Sequence, residues 1–319
     1  MDNIKGLIGN TPMIKIKYKY KGVENYIYVK LEYYSLTGSI KDRMVYYILD
    51  KAIKEGELKD DMVLVEATSG NTGISLSAIG AYLKHKVYIF MPDWVSKERL
   101  GLMKLYGANV ILVSKEEGGF EKCVEMAKLF SIRNNGFLLN QFNNMYNVDA
   151  HYETTGKEIV DKVKVDSFIS GIGTGGTLMG IGKRLKEEYN SDIYALEPDT
   201  MSIIKTGNIT GHKIEGIGDD FIPSIVDLDL IEDVMLVNDL DAINMSKKLS
   251  KELGIGVGIS SGANMIGSIL LKTMGYQNVI TVFPDDNKKY LSTDLTKDIK
   301  LKENNVSSKV ELLGYEVIK

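Results

Sequence analysis

The segment Gly38-Ser39-Ile40-Lys41-Asp42-Arg43 carries a lysine at the start of a helical pattern. Ser39 and Asp42 have capping-box spacing, which places Lys41 in the first helical turn. The positive end of the helix dipole disfavours an ammonium there and lowers its pKa. A lysine so tuned suits Schiff-base chemistry. The competing reading is an ordinary solvated lysine, because only four of the 39 basic residues are Arg (Arg43, Arg99, Arg133 and Arg184) and lysines abound. Two further loops offer anion sites. Thr68-Ser69-Gly70-Asn71-Thr72-Gly73 follows the apolar run MVLVEA and opens a helix. Free N–H groups at such a start bind an anion, and the small hydroxyl and amide side chains suit a carboxylate; a plain capped turn fits as well. Gly171-Ile172-Gly173-Thr174-Gly175-Gly176-Thr177 makes a phosphate cradle by the same physics. Gly171, Gly173 and Gly176 also spell G-x-G-x-x-G, with Glu197 placed 21 residues beyond Gly176, which keeps a nicotinamide oxidoreductase open.

Two later stretches say less alone. His212 to Pro223 crowds acids, glycines and Phe221 into one irregular stretch, which reads as a lid, a site wall or a solvated connection. Gly258-Ile259-Ser260-Ser261-Gly262-Ala263-Asn264 reads as a helix cap.

These loops need elements to hold them. Short Val- and Ile-rich runs predict strands at about 62–66, 87–91, 109–113, 137–141, 166–170, 192–197 and 278–283. Helical patterns lie between them at about 41–55, 72–84, 97–106, 119–134, 151–163, 177–189, 239–253 and 261–274. Alternation of strand and helix predicts an α/β fold with parallel sheets and crossover helices. Ligands in such folds bind beyond the carboxyl ends of strands, where these loops lie. A length of 319 residues predicts two lobes at roughly 150 residues each.

Composition excludes several classes. A net charge of −4 argues against nucleic-acid binding. The single cysteine, Cys123, excludes an internal disulfide and a multi-cysteine metal site, and reads as a packed helix residue. His85, His151 and His212 have no metal-ligand spacing; His151 reads as a structural hydrogen-bonder. No signal-peptide pattern or membrane-length apolar run is present, so the expectation is a soluble, cytoplasmic protein without a membrane partner.

Taken in order, the motifs IGNTPMIKI, KLEYYSLTGSIKDR, EATSGNTG, MPDWVSKERL, QFNNMYNVDAHYETTGKEI, SGIGTGGTLMGIGKRLKE, ALEPD, HKIEGIGDDFIP and GISSGAN run almost end to end. The chain resembles the cysteine synthase (O-acetylserine sulfhydrylase) and cystathionine β-synthase family of fold-type-II pyridoxal-phosphate enzymes. The resemblance implies a two-lobed, tryptophan synthase β-like fold, with a smaller mobile lobe at 36–146 and a larger lobe formed by 1–35 with 147–319. It implies pyridoxal 5′-phosphate held by Lys41, Asn71 on its phenolic oxygen, Gly173, Thr174, Gly175, Gly176 and Thr177 on its phosphate, and Ser260 at the pyridine nitrogen. A neutral Ser260 would leave the ring a weaker electron sink, which favours β-chemistry. Thr68, Ser69, Thr72 and Gln141 would grip the substrate carboxylate, and Gly216 would belong to a closing loop. Lys41 would move the α-proton, and β-replacement would pass through an α-aminoacrylate. A homodimer and, in some relatives, a serine acetyltransferase partner also follow from the resemblance. A non-catalytic binding protein that keeps the fold is the remaining alternative.

Two departures refine this expectation. Many members carry a proline-bearing turn before the lysine, where this chain reads Ser35-Leu36-Thr37-Gly38-Ser39. Plain cysteine synthases tend to have small residues where this chain has Asp219-Asp220, and cystathionine β-synthases a Tyr-Asp. Sulfide attacks unaided, whereas a thiol of pKa about 8.5 or a water needs a base. Asp220 is therefore expected as acid or base, with L-cysteine as substrate, hydrogen sulfide released, and lanthionine, cystathionine or serine formed. Two alternatives stay open: Asp220 as a loop cap or lysine partner, and an O-acetylserine sulfhydrylase that makes cysteine from sulfide.

Overall fold

The computed structural model describes residues 1–319, apart from the side chain of Asp2. Two sheets organise it. The first has four parallel strands in the order Asn109–Val113, Val87–Pro92, Val63–Ala67, Gly136–Leu138. The second has seven strands in the order Asp233–Val237, Asp192–Pro198, Ser167–Gly171, Val279–Phe283, Val23–Leu31, Met13–Tyr20, Val310–Ile318. Its first five strands run parallel, as the alternating pattern predicts. The last two pairings are antiparallel, which the predicted strand set omits. The sequence signal was present in MIKIKYKY, where apolar and lysine positions alternate and the burial follows them, inward at Ile14 and Ile16 and outward at Lys17.

Central strands earn their position by burial on both faces. All five side chains of Val279–Phe283 are buried, and each of the four apolar ones contributes about 1.5–3 kcal/mol. The predicted helices hold closely: Lys41–Lys54, Asn71–Leu83, Lys97–Leu105, Gly119–Arg133, Gly176–Tyr189, Asp239–Leu253 and Ile259–Thr273. The one expected over 151–163 begins earlier, at Tyr146, winds as a π-helix through His151–Gly156 and ends at Val160. No helix among the described residues is long and apolar enough to cross a membrane.

The capping box at Ser39 is not formed. Asp42 instead accepts from Thr37 N–H at 2.7 Å, from the Thr37 hydroxyl at 2.5 Å and from the Ser75 hydroxyl at 2.6 Å. Ser39 Oγ is buried without a partner. The carboxylate thus ties the turn before Lys41 to the helix Asn71–Leu83, and Lys41 still heads its own helix. Thr37, next to the Leu36 that stands in the proline position, supplies two of the three donors that make this tie.

Candidate active site

A cavity of about 1020 Å³ opens between the two sheets. Lys41, Asn71, Thr72, Gln141, Thr174 and Ser260 line it, drawn from segments far apart in sequence. Thr68, Ser69, Gly173, Gly175, Thr177, Gly216, Asp219 and Asp220 line it too. Every expected site residue except Gly176 therefore faces one space. Gly176 sits behind it, where an added Cβ would stand 1.9 Å from Asn147 Oδ1. Only glycine lets Asn147 reach Thr174, whose hydroxyl accepts from Asn147 Nδ2 at 3.0 Å.

The carboxylate-sized loop is held from below. Thr72 Oγ1 donates to Gln141 Oε1 at 2.6 Å, and Gln141 Nε2 donates to Ala67 O at 2.9 Å. Glu66 lies under both, accepting from the Ala67 N–H at 2.8 Å, and burial pushes its carboxyl up to about 8. Thr68 and Thr72 are buried at the cavity wall, whereas Ser69 is exposed.

The glycine loop leads from the strand Ser167–Gly171 into the helix Gly176–Tyr189. Gly175 has φ +89, a left-handed conformation that leaves the following N–H groups pointing out of the helix start. His151 hydrogen-bonds Thr155 through Nδ1 and stands 3.4 Å from Thr177 Oγ1 through Nε2. Burial lowers its pKa well below the usual range, so it acts as a neutral support, as its sequence reading expects. Cys123 is buried and pushed up to about 12, an inert thiol.

The loop from His212 to Asp220 closes the other side. His212 Nε2 donates to Gly218 O at 2.9 Å while its Nδ1 accepts from Ile214 N–H at 3.2 Å. Gly218 N–H donates to Ile172 O at 2.8 Å, which seats the loop on the glycine cradle. An added Cβ on Gly173 would meet Gly216 O at 2.4 Å. Glu215 on this loop pairs with Arg99, whose guanidinium stacks 4.5 Å from the Tyr290 ring.

Lys41 feels three influences. Burial lowers its proton affinity most, and the charges of Asp285 and Asp219 oppose that. Asp219 is pushed up to about 6, by burial first and by neighbouring Asp220 second, with Lys41 pulling it down. Asp220, singled out from sequence, is exposed at the cavity wall. Of the adjacent pair, Asp219 is the one whose charge acts on Lys41, after that of Asp285. Both acids line the cavity, and Asp219 is an additional candidate beside the expected Asp220. Asp285 was missed entirely; its signal is the acidic pair Asp285-Asp286 directly after a strand that ends in Pro284.

Glu197 is not free for a ribose. It is buried, and its oxygens accept from the Ser202 hydroxyl at 2.5 Å and from the Ile204 and Lys205 N–H groups at 3.1 and 3.2 Å. The nicotinamide alternative loses its acidic residue to a structural turn.

Comparison with known proteins agrees. Residues 4–285 match the family model described as pyridoxal-phosphate dependent enzyme. A cysteine synthase from Staphylococcus aureus is 38% identical over 301 residues, 92% of this chain and 97% of that protein. The structure of a hydrogen sulfide-producing enzyme from Fusobacterium nucleatum superposes with TM-score 0.96 and 49% identity, covering 100% of this chain and 98% of that one. An aspartate-to-asparagine mutant of that enzyme is known in complex with an α-aminoacrylate intermediate. An O-acetylserine-dependent cystathionine β-synthase from Helicobacter pylori superposes with TM-score 0.85 and 31% identity, covering 92% and 98% of the two chains.

The residues present fit pyridoxal phosphate. Gly173 and Gly175 keep the loop tight, since a Cβ would collide with Gly216 O and with Val226, and the hydroxyls of Thr174 and Thr177 stand at the cavity wall beside a helix start, as a phosphate requires. Asn71 lines the cavity, and its Nδ2 gives one N–H to Asp285 and keeps a second for a phenolic oxygen. A lysine with weakened hold on its proton heads the opposite helix. The chain belongs to the pyridoxal-phosphate-dependent enzyme family, among its cysteine synthase-like members of fold type II.

Proposed function

We propose that this enzyme takes L-cysteine, releases hydrogen sulfide and adds a thiol or water at the β-carbon, with Asp219 handling the proton. The observation that carries the reading is Asp219 facing Lys41 across the cavity with its carboxyl pushed up to about 6. An acid of that strength gives up and regains a proton near neutral pH. Pyridoxal phosphate, when bound, withdraws electrons from the α-carbon of the attached amino acid. Lys41 Nζ holds the cofactor and then takes the α-proton as base. Gly173, Thr174, Gly175, Gly176 and Thr177 bind the phosphate, Asn71 the phenolic oxygen and Ser260 the ring nitrogen. Thr68, Ser69, Thr72 and Gln141 hold the substrate carboxylate, and the Thr72–Gln141 bond keeps that grip in one orientation.

Asp219 Oδ donates a proton to the departing sulfur, then takes one from the incoming thiol or water. Asp220 assists by raising the proton affinity of Asp219. The loop bearing Gly216 and the lobe at 36–146 close together and exclude water, with Arg99–Glu215 as the contact between them. The likeness to a hydrogen sulfide-producing enzyme, known with an α-aminoacrylate intermediate, supports the sulfide-releasing half of this reading. A second reading, cysteine formation from O-acetylserine and sulfide, is supported by the cysteine synthase relative. Rapid mixing with cysteine, followed by a second thiol, tests the proposal in two halves. Asp219→Asn keeps substrate binding within severalfold and slows the thiol half about 100-fold. Equal slowing of both halves contradicts it.

A further inference from the structure

The strand Val279–Phe283 leads through Pro284 into Asp285, which is buried. Asn71 Nδ2 donates to Asp285 Oδ2 at 2.7 Å, and the Tyr290 hydroxyl donates to the same oxygen at 2.6 Å. Two donors converging on one oxygen suit the acceptor-only carboxylate. The other oxygen, Oδ1, is buried without a partner. Its space exists because residue 258 is glycine: a Cβ there would stand 2.0 Å from Asp285 Oδ1.

The same segment builds the Lys41 turn. Ile40 N–H donates to Pro284 O at 2.8 Å, Ser39 and Asp285 form an isolated antiparallel bridge, and Lys289 Nζ donates to Gly38 O at 2.6 Å. A displacement of residues 284–289 therefore moves the backbone that carries Lys41. Asp285 thus contacts Asn71 directly and stands at the base of the lysine's own turn.

We propose that Asp285 is a positioning residue for cofactor capture: its carboxylate fixes the Asn71 amide and holds a negative charge beside Lys41. It acts through these two side chains. Its charge strengthens the proton affinity of Lys41 against the weakening effect of burial. The other groups in this field are Asp219 and His151 near Lys41, and Lys289, Asp286, Tyr290, Asp42 and Arg99 around Asp285. The inference goes beyond the substrate reading and shares with it only the assignment of Lys41 and Asn71 to the cofactor.

The test uses the full chain, stripped of pyridoxal phosphate and remixed with it from pH 6 to 10, with uptake followed by visible absorption. No amino acid is added, so a wrong substrate reading leaves the result intact. Lys41→Ala is the control and takes up no covalently bound chromophore; uptake by this variant overturns the shared assignment and the proposal with it. Capture needs the neutral amine, so uptake by the parent rises with pH. Asp285→Asn keeps the shape and removes the charge. Its midpoint moves at least about half a unit lower, which is about threefold faster uptake on the acid side. Asp285→Ala also frees Asn71, and the dissociation constant rises about tenfold. Where Asp285→Ala does not fold, the Asp285→Asn profile decides. An Asp285→Asn midpoint equal to the parent's overturns the proposal.

Discussion

Lys41 and Arg43 stand two residues apart on one helix, and each meets buried acids, yet their surroundings are opposite in kind. Arg43 is saturated. Its Nε and Nη2 donate to Glu32 at 2.6 and 3.0 Å, and its Nη1 and Nη2 donate to Glu158 at 2.6 and 2.8 Å. Lys30 completes the cluster, 2.7 Å from Glu158, so two cations face two anions. Thr11 donates to Glu32 at 2.7 Å and Asn10 N–H to Glu158 at 2.9 Å. Around Lys41 the accounts stay open: Asn71 Oδ1, Asp285 Oδ1 and Ser39 Oγ are all buried without partners. A filled network fixes the helix; an unfilled one waits for a ligand. Buried charge alone therefore does not mark an active site; here the distinguishing feature is several unmet polar atoms gathered around one cavity-lining lysine.

Removing each cation separates the two regions most sharply. Lys41→Ala lowers turnover by about 10³-fold or more while leaving the melting temperature of the cofactor-free chain unchanged or higher, because no satisfied partner is stranded. Arg43→Met strands Glu32 and part of Glu158 and costs about 3–5 kcal/mol, read by denaturant unfolding. A Lys41→Ala variant that unfolds like Arg43→Met would erase the distinction.

The acids sharpen it further by pH. The Asp219 carboxyl, pushed up to about 6, must be deprotonated to serve as base, so the rate of thiol addition falls as pH drops through about 6. In Asp219→Asn that limb disappears along with about 100-fold of the rate. Its linkage to folding has the same sign at every site of this kind. A carboxyl raised from 3.8 to about 6 contributes stability below pH 3.8 and loses it as pH rises through 6, so Asp219→Asn melts higher at pH 7.

Glu158 is the reverse case and the smallest effect. Hydrogen bonds from Arg43 outweigh its burial and hold its carboxyl down at about 2. Its stabilisation is complete above pH 4.5 and is lost as pH falls through about 2. Melting temperature should drop across that window in the parent and drop less steeply in Glu158→Gln.

Much of this was legible before any coordinates. Ligands of a parallel α/β fold bind in loops that follow buried Val- and Ile-rich strands, and position and residue type point to Thr68–Thr72 and to Gly171–Thr177, both of which reach the cavity. The helix Lys41–Lys54 and the strand Val63–Ala67 match their predicted spans to within a residue. What failed was what depends on orientation. Ser39 and Asp42 had the right spacing for a cap, but a chain that arrives through Thr37 offers Asp42 better donors. Asp219 and Asp220 both line the cavity, and the path of the loop seated on Ile172, which no motif shows, brings the charge of Asp219 to bear on Lys41. Asp285 is remote from Lys41 in sequence, and sheet pairing alone brings them together. The antiparallel strands were missed because strong α/β alternation drew the reading away from the two ends of the chain.

The central claim is that the acidic loop beside Lys41 makes cysteine the amino acid consumed. Purified holoenzyme given L-cysteine alone, with sulfide and amino-acid products measured over time, tests it most directly. The account predicts sustained sulfide release with lanthionine or serine formed in equal amount. No sulfide from cysteine, alongside rapid cysteine formation from O-acetylserine and sulfide, would contradict it.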